Sequence, residues 1–450
     1  MNMKLNRSIR PSPAADISFK MYPLENFSLA NGIQIHFIKK NELPIIRMNV
    51  IINAGSKFDK IGDKGTANLL AMCIDEGAGK YNALELSDQF DLLGAQLSIY
   101  CNSDHLLITL QVLKENLDKS LKLLNLIINE PHFKDENFNR EKRKILTRLR
   151  QLSDDPDYRA NTSFESLLMG KGNPYSFPPL GIEKDINNIT SEQIKSFYSQ
   201  TIFTNNAFIV VVGDIFTNDL KSKLNDAFSN WDEGKPDLQF AIKKNNDKKS
   251  VYIVDKKDSV QTEIRIGHHT NGRNSPDYFN KHILNTILGG QFTSRINLNL
   301  REKHGYTYGA GSIFNYYKDS AYFEVSTSVG INNTVNAIQE IFNELENIRL
   351  GVTEKELNFA KSSIIRKFPL NFETHRQIAS NVIGKIIYNL PEDYFETYIN
   401  KINLVTINDV NKAATENIFP DLATIVLVGD KNKILDQLKT NRFGEVKIIE

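Results

Sequence analysis

The chain contains the same unit twice. Thr190–Asp214 (TSEQIKSFYSQTIFTNNAFIVVVGD) aligns without a gap to Thr406–Asp430 (TINDVNKAATENIFPDLATIVLVGD), and nine of the 25 positions are identical. Unrelated segments of average composition share about one or two. Gly213 and Gly429 set the shift at 216 residues, and the same shift superposes the helical stretch after Asn116 on that after Asn332. Each copy reads as a helix, an Ile-Phe turn and a hydrophobic strand closing on Gly-Asp. A period this long means a duplicated domain rather than a solenoid repeat.

The 450 residues accommodate two such domains. Between the copies lies Trp231–Ser250, with DEGKP and then KKNNDKKS, a polar, lysine-rich composition suited to a linker. The expected layout is an extended arm over residues 1–19 (with Pro11 and Pro13), a first domain over 20–230, a linker over 231–250 and a second domain over 251–450. Gly32–Lys39 and Ile45–Asn53 alternate well enough to predict paired strands around a turn at Asn41–Pro44. Gln96–Tyr100 and His105–Val112 continue the pattern. In the second copy Gly309–Tyr316 and Ala321–Val329 surround a Tyr-Lys-Asp-Ser turn. In the helical stretch Asp135–Ser153, Phe138, Ile145, Leu149 and Leu152 form one apolar stripe. The predicted fold class is α+β: two tandem homologous domains, each a mainly antiparallel sheet with helices on one face.

Charge narrows the function. Lys+Arg at 55 against Asp+Glu at 54 leaves +1, so no electrostatic footprint favours nucleic acid or an acidic membrane. The longest apolar run, Ala207–Val212, is a buried-strand length and far short of a membrane span. The first residues carry early basic charge but no apolar h-region. The expected location is therefore cytoplasmic, or periplasmic if a signal has been removed. Cys73 and Cys101 have no ligand spacing and cannot make a disulfide framework.

Chemistry concentrates in Leu288–Ser312, LGGQFTSRINLNLREKHGYTYGAGS. A two-glycine turn leads into a predicted helix over Thr293–Lys303, which stops at Gly305, and a strand is expected from Tyr306. Arg301 then lies in the last helical turn and Tyr308 at the strand start. Each has an ordinary reading alone: a cation offsets the helix dipole, and aromatics favour strands. Together, an arginine fork and a phenol can hold a peptide carbonyl or carboxylate. This layout resembles the substrate-binding arginine/tyrosine motif in the C-terminal half of the pitrilysin or insulinase-type zinc peptidases (inverzincins).

In that family an H-x-x-E-H helix in the first domain supplies two zinc ligands and the general base. It follows an Asn-Ala-Gly-Ser type strand end, present here as Asn53–Ser56. The resemblance places the histidine positions on Asn68 and Met72 and the base on Ala71. The third ligand, a glutamate on a later helix, falls on Arg148 within Arg140–Arg148 (REKRKILTR). Asn and thioether Met are poor zinc partners, and a guanidinium repels the ion. The expectation is no metal on this chain. Arg148 is expected to pair with Asp75 or Glu76, which follow Met72 closely enough to share its region.

The eight histidines supply no replacement. His268 and His269 adjoin on a predicted strand, so their rings face opposite ways. Gly289-Gly290 before Thr293 and Ser294 lacks the lysine of a phosphate loop and reads as a tight turn. Asp154–Asp157 lacks further calcium ligands.

The resemblance covers about Pro23–Val446 and is most similar to the short, two-domain bacterial members. It implies a non-catalytic, substrate-binding subunit of a heterodimeric metallopeptidase. Arg301 and Tyr308 would complete a site whose zinc sits on a sister subunit, with an extended peptide added to a sheet edge. Two alternatives stand beside it: an architectural pseudopeptidase subunit of a larger complex, as in the core of a respiratory complex, and a homodimeric peptide-binding protein without chemistry.

Overall fold

The computed structural model describes residues 17–449 apart from 237, 239, 243–247 and 440–442. Most of the expected arm, and the KKNND part of the expected linker, lie outside the described residues.

Two six-stranded sheets repeat one plan. The first contains β1 (Leu24–Ser28), β2 (Gln34–Lys39), β3 (Ile45–Ile52), β4 (Gln96–Cys101), β5 (Leu106–Leu113) and β6 (Ala207–Gly213), in the order β1-β2-β6-β3-β5-β4. The second contains β7 (Ser250–Asp255), β8 (Gln261–His269), β9 (Ala310–Tyr316), β10 (Ala321–Gly330), β11 (Thr424–Gly429) and β12 (Glu445–Ile449), in the order β12-β7-β11-β8-β10-β9. The 216-residue shift carries β2, β3, β5 and β6 onto β7, β8, β10 and β11, and the Ser191–Thr201 helix onto Ile407–Asn417. Both of those helices begin with the same capping box, Thr190 with Gln193 and Thr406 with Asp409.

Two expectations need correction. β2 and β3 do not pair with each other, because β6 lies between them, parallel to β2 and antiparallel to β3. The alternation was real, but β6 is apolar toward both faces and takes the central position. Each sheet is therefore mixed, since β7 also runs parallel to β11 and β12. Trp231 belongs to the first core rather than to a linker: it is buried and donates from Nε1 to the Ile202 carbonyl at 3.3 Å.

Helices do not cover one face only. On the first sheet Ile35, Phe37, Met48, Ile209 and Val211 pack against that half's own helices. The opposite face, with Ile38, Ile51, Leu107, Val210 and Val212, joins the core of the second half. The Pro156–Met169 helix of the first half lies on β8 and β11, burying Ala160, Phe164 and Leu168 against Val426 and Val428. The His375–Ile387 helix of the second half lies on β3 and β6. The duplication thus exchanges equivalent helices between its halves, and both faces of each sheet are buried without a single continuous core.

Candidate functional site

The expected zinc helix exists, as Thr66–Cys73, and its start is tightly fixed. The buried Asp59 carboxylate accepts from Gly65 N at 2.8 Å and Ala67 N at 2.9 Å. Gly65 holds φ +110°, and a Cβ there would lie 2.3 Å from Ile186, so only glycine fits. Burial pushes the Asp59 carboxyl up to about 7, against the pull of those amides. A carboxylate spent on a helix end is not available to a metal.

On this helix Asn68 and Met72 share a half-buried face, with Asn68 Nδ2 3.9 Å from Met72 Sδ. Ala71 is buried between turns. Burial pushes the neighbouring Cys73 thiol far up, so it stays protonated. No group of three or more histidine, cysteine or acidic side chains able to hold a metal occurs among the described residues. The donor set does not fit zinc.

The Arg148 expectation is corrected. Asp135–Ser153 forms the helix anticipated, but Arg148 is exposed on it. The partner of Glu76 is Arg140, whose guanidinium also reaches Glu141 at 3.0 Å. Arg140 lies eight residues earlier, about 12 Å along the helix, and so sits beside Glu76 where Arg148 cannot. Glu141 is buried and bonded further to Lys144 at 2.7 Å. Burial, then the charges of Glu76 and Glu141, push the Asp75 carboxyl up to about 6. Acidic groups remain in this region, and Arg140 and Lys144 pair with two of them, Glu76 and Glu141.

The second region is built differently. The Tyr278–Leu288 helix ends at Gly289, where a Cβ would lie 2.3 Å from Ser312 Oγ. Glycine lets β9 cross directly over the helix end, and Ser312 N donates to the Gly289 carbonyl at 3.1 Å. Asn285 secures the crossing by bonding both Ser312 O (3.0 Å) and Ser312 Oγ (2.8 Å). After the turn come a short helical piece, Arg295–Asn297, and a π-helical turn, Leu298–Lys303, closed by His304 N donating to the Asn299 carbonyl at 3.1 Å. Such turns are rare and concentrate at functional sites.

Arg301 projects from that turn. Its guanidinium lies 4.4 Å from the Phe292 ring centroid and 3.4 Å from the Glu302 carboxylate. Tyr308 is 94% exposed. The strand begins at Ala310 rather than Tyr306, which places Tyr308 in a loop. The cause is local bonding: Thr307 Oγ1 accepts from Gly309 N at 3.1 Å, and Asn297 Oδ1 accepts from Ala310 N at 3.0 Å. Asn297 therefore ties the helical segment that carries Arg301 to the loop that carries Tyr308. Phe292, the platform under Arg301, has no signal in the sequence beyond being aromatic.

Each region adjoins a sheet edge. β4, which packs on the Thr66–Cys73 helix, is the last strand of the first sheet, and β9, which follows Tyr308, is the last strand of the second. An unpaired edge offers backbone donors and acceptors to an extended chain.

A duplicated α+β fold thus carries a fixed first-half helix and, beside a sheet edge, a helical turn and loop that display Arg301 and Tyr308. The chain belongs to the M16 (insulinase) peptidase family. The family's profile matches residues 37–170, and that of the "Peptidase M16 inactive domain" matches residues 188–364. An "uncharacterized zinc protease" of Rickettsia felis is 26% identical over 418 residues, covering 90% of this chain and 98% of that protein. The "non-peptidase homolog YmxG" of Helicobacter pylori is 25% identical over 409 residues, covering 89% and 93%. A peptidase M16 inactive domain from Pseudomonas fluorescens superposes with a TM-score of 0.84 at 24% identity, covering 90% of this chain and 98% of that one. No described helix is long and apolar enough to cross a membrane.

Proposed function

We propose that this chain is the non-catalytic, substrate-binding member of a heterodimeric M16 metallopeptidase, supplying Arg301 and Tyr308 to a zinc site on a sister subunit. The observation that carries this reading is a contrast between the two regions. At the first, Asn68, Ala71, Met72 and the solvent-facing Arg148 offer no ligand set, and Arg140 and Lys144 hold the nearby acids. At the second, the chain leaves Tyr308 projecting into solvent and holds the Arg301 guanidinium over the Phe292 ring. A phenol and a guanidinium displayed on a braced loop beside an open strand edge suit capture of an extended peptide. The kinship to a protein named a non-peptidase homolog agrees with a non-catalytic role. In this reading zinc belongs to the partner, and the substrate is a peptide or unfolded polypeptide.

The test is reconstitution with the sister subunit, followed by steady-state peptide hydrolysis. Arg301→Ala and Tyr308→Phe are expected to lower kcat/KM at least about tenfold, equivalent to about 1.4 kcal/mol of transition-state stabilisation. Association of the two subunits should be unchanged. Full turnover by both variants would remove this reading and favour an architectural role.

A further inference from the structure

The sheet face that meets the other half holds a cavity that shares the edge strand β4 with the first region but none of the site residues named above. It encloses about 520 Å³ between β3, β4 and β5 on one side and the His375–Ile387 helix of the second half on the other. That size suits a small organic ligand. Arg47 enters it from β3 and Arg376 from the helix, and no aspartate or glutamate lines it. Arg47 has one bond of note, Nη1 donating to Gln111 Oε1 at 3.1 Å, while its Nε is buried without a partner. Burial, then the charge of Arg376, push the Arg47 guanidinium below its ordinary range. The walls add neutral polar groups: the buried Asn49 accepts from Thr109 Oγ1 at 3.0 Å, and Ser98 and Ser380 also face the space.

The duplication supplies an internal control. The 216-residue shift carries Arg47 and Asn49 onto Glu263 and Arg265, on the same face of the second sheet. There the buried Arg265 meets Glu263 and Glu324, each at 3.4 Å, and Asp157 from the exchanged Pro156–Met169 helix. It also donates to Asn161 Oδ1 at 2.7 Å. One copy closes its guanidinium with three carboxylates of its own. The other brings two guanidiniums to a cavity and provides none. Arg376 is exposed and Arg47 half-buried with an unpaired buried Nε, so an anion joining the two guanidiniums would gain a partner for each.

We propose that this inter-half cavity is a binding site for a small oxyanion-bearing molecule, its carboxylate or phosphate group held by Arg47 and Arg376. Both groups match a guanidinium fork, and the amide and hydroxyl walls suit a polar remainder.

The experiment uses the whole chain, with inorganic phosphate and succinate as probes at constant ionic strength set with chloride. Binding is followed by titration calorimetry and by thermal melts. At least one probe is expected to bind saturably and to raise Tm above the chloride control. Which probe does so identifies the phosphate or the carboxylate source. Arg47→Gln with Arg376→Gln should weaken that binding at least tenfold, while Tm in chloride alone stays level or rises because the repulsion is gone. Arg376→Gln alone, at a more exposed position, gives the same reading should the double variant fold poorly. Arg265→Gln should lower Tm and leave anion binding intact. No saturable binding by either probe, or binding that survives both arginine substitutions, overturns the proposal.

Discussion

Replacing Lys57 by methionine removes the buried lysine from a largely buried cluster that ties the two halves together. Lys57 Nζ lies 3.0 Å from Asp104 of its own half and 2.7 Å from Asp319, in the turn between β9 and β10 of the other. The Tyr175 hydroxyl donates to Asp104 at 2.6 Å, and Lys318 N donates to the second oxygen of Asp104 at 2.9 Å. Tyr175 in turn stacks on Tyr317 at 4.6 Å between centroids. Methionine conserves most of the side-chain volume, so the loss is electrostatic. It strands Asp104, whose side chain is 10% exposed, beside Asp319, which is 33% exposed. Breaking a buried pair from one side costs about 3–5 kcal/mol, and the partial hydration of Asp319 puts this case near the lower end, about 3 kcal/mol. Urea unfolding of wild type, Lys57→Met, Asp104→Asn and the double variant measures it. The double variant should be more stable than Lys57→Met alone, because it no longer buries an unpaired carboxylate. The pH dependence adds a check. Burial raises the Asp104 carboxyl, but Lys57, Tyr175 and the Lys318 amide outweigh it and hold the group below its ordinary range. Its contribution is therefore present above the unfolded carboxylate range and lost as pH falls through the depressed value. A cost for Lys57→Met under about 1 kcal/mol, or simple additivity in the cycle, would refute the reasoning.

Further expectations follow from the same geometry. Arg301→Ala and Tyr308→Phe should change unfolding free energy by less than about 1 kcal/mol, since Tyr308 is exposed and the stack on Phe292 is a surface cation–π contact; a larger loss in a chemical melt would make them structural residues. Asp75→Asn should stabilise the chain above pH 6 by about 1–3 kcal/mol and hardly at all at pH 4. The Asp75 carboxyl is raised to about 6, so its contribution is full below the unfolded value and lost as pH rises through the folded one; melts across pH 4–8 that stay parallel for both proteins would contradict this. Asn68→His, Ala71→Glu, Met72→His and Arg148→Glu together should confer at least weak zinc uptake by elemental analysis. Because Ala71 is buried, its glutamate should cost about 1–3 kcal/mol of overpacking, and a folded variant that takes up no zinc would show the assigned register to be wrong.

The sequence by itself determined the duplication, because the repeated apolar strand and capping residues report local forces that act alike in both copies. It also placed Arg301 in a helical turn and Asn68 and Met72 on one helix, since spacing along a helix is a local property. Where competition between distant segments decides, it fell short. β6 displaced the expected β2–β3 pairing from more than 150 residues away, and Arg140 rather than Arg148 met Glu76 because helix placement sets which turn lies nearest. Tyr308 left the strand for a loop through bonds to Thr307 and Asn297 that periodicity cannot register. The exchange of the Pro156–Met169 and His375–Ile387 helices was invisible in the same way. An amphipathic helix records that one face is buried, but not which sheet buries it. Only the tertiary structure brings Lys57 to Asp319 and Arg47 to the cavity of Arg376, because charges so far apart in sequence become neighbours through packing alone.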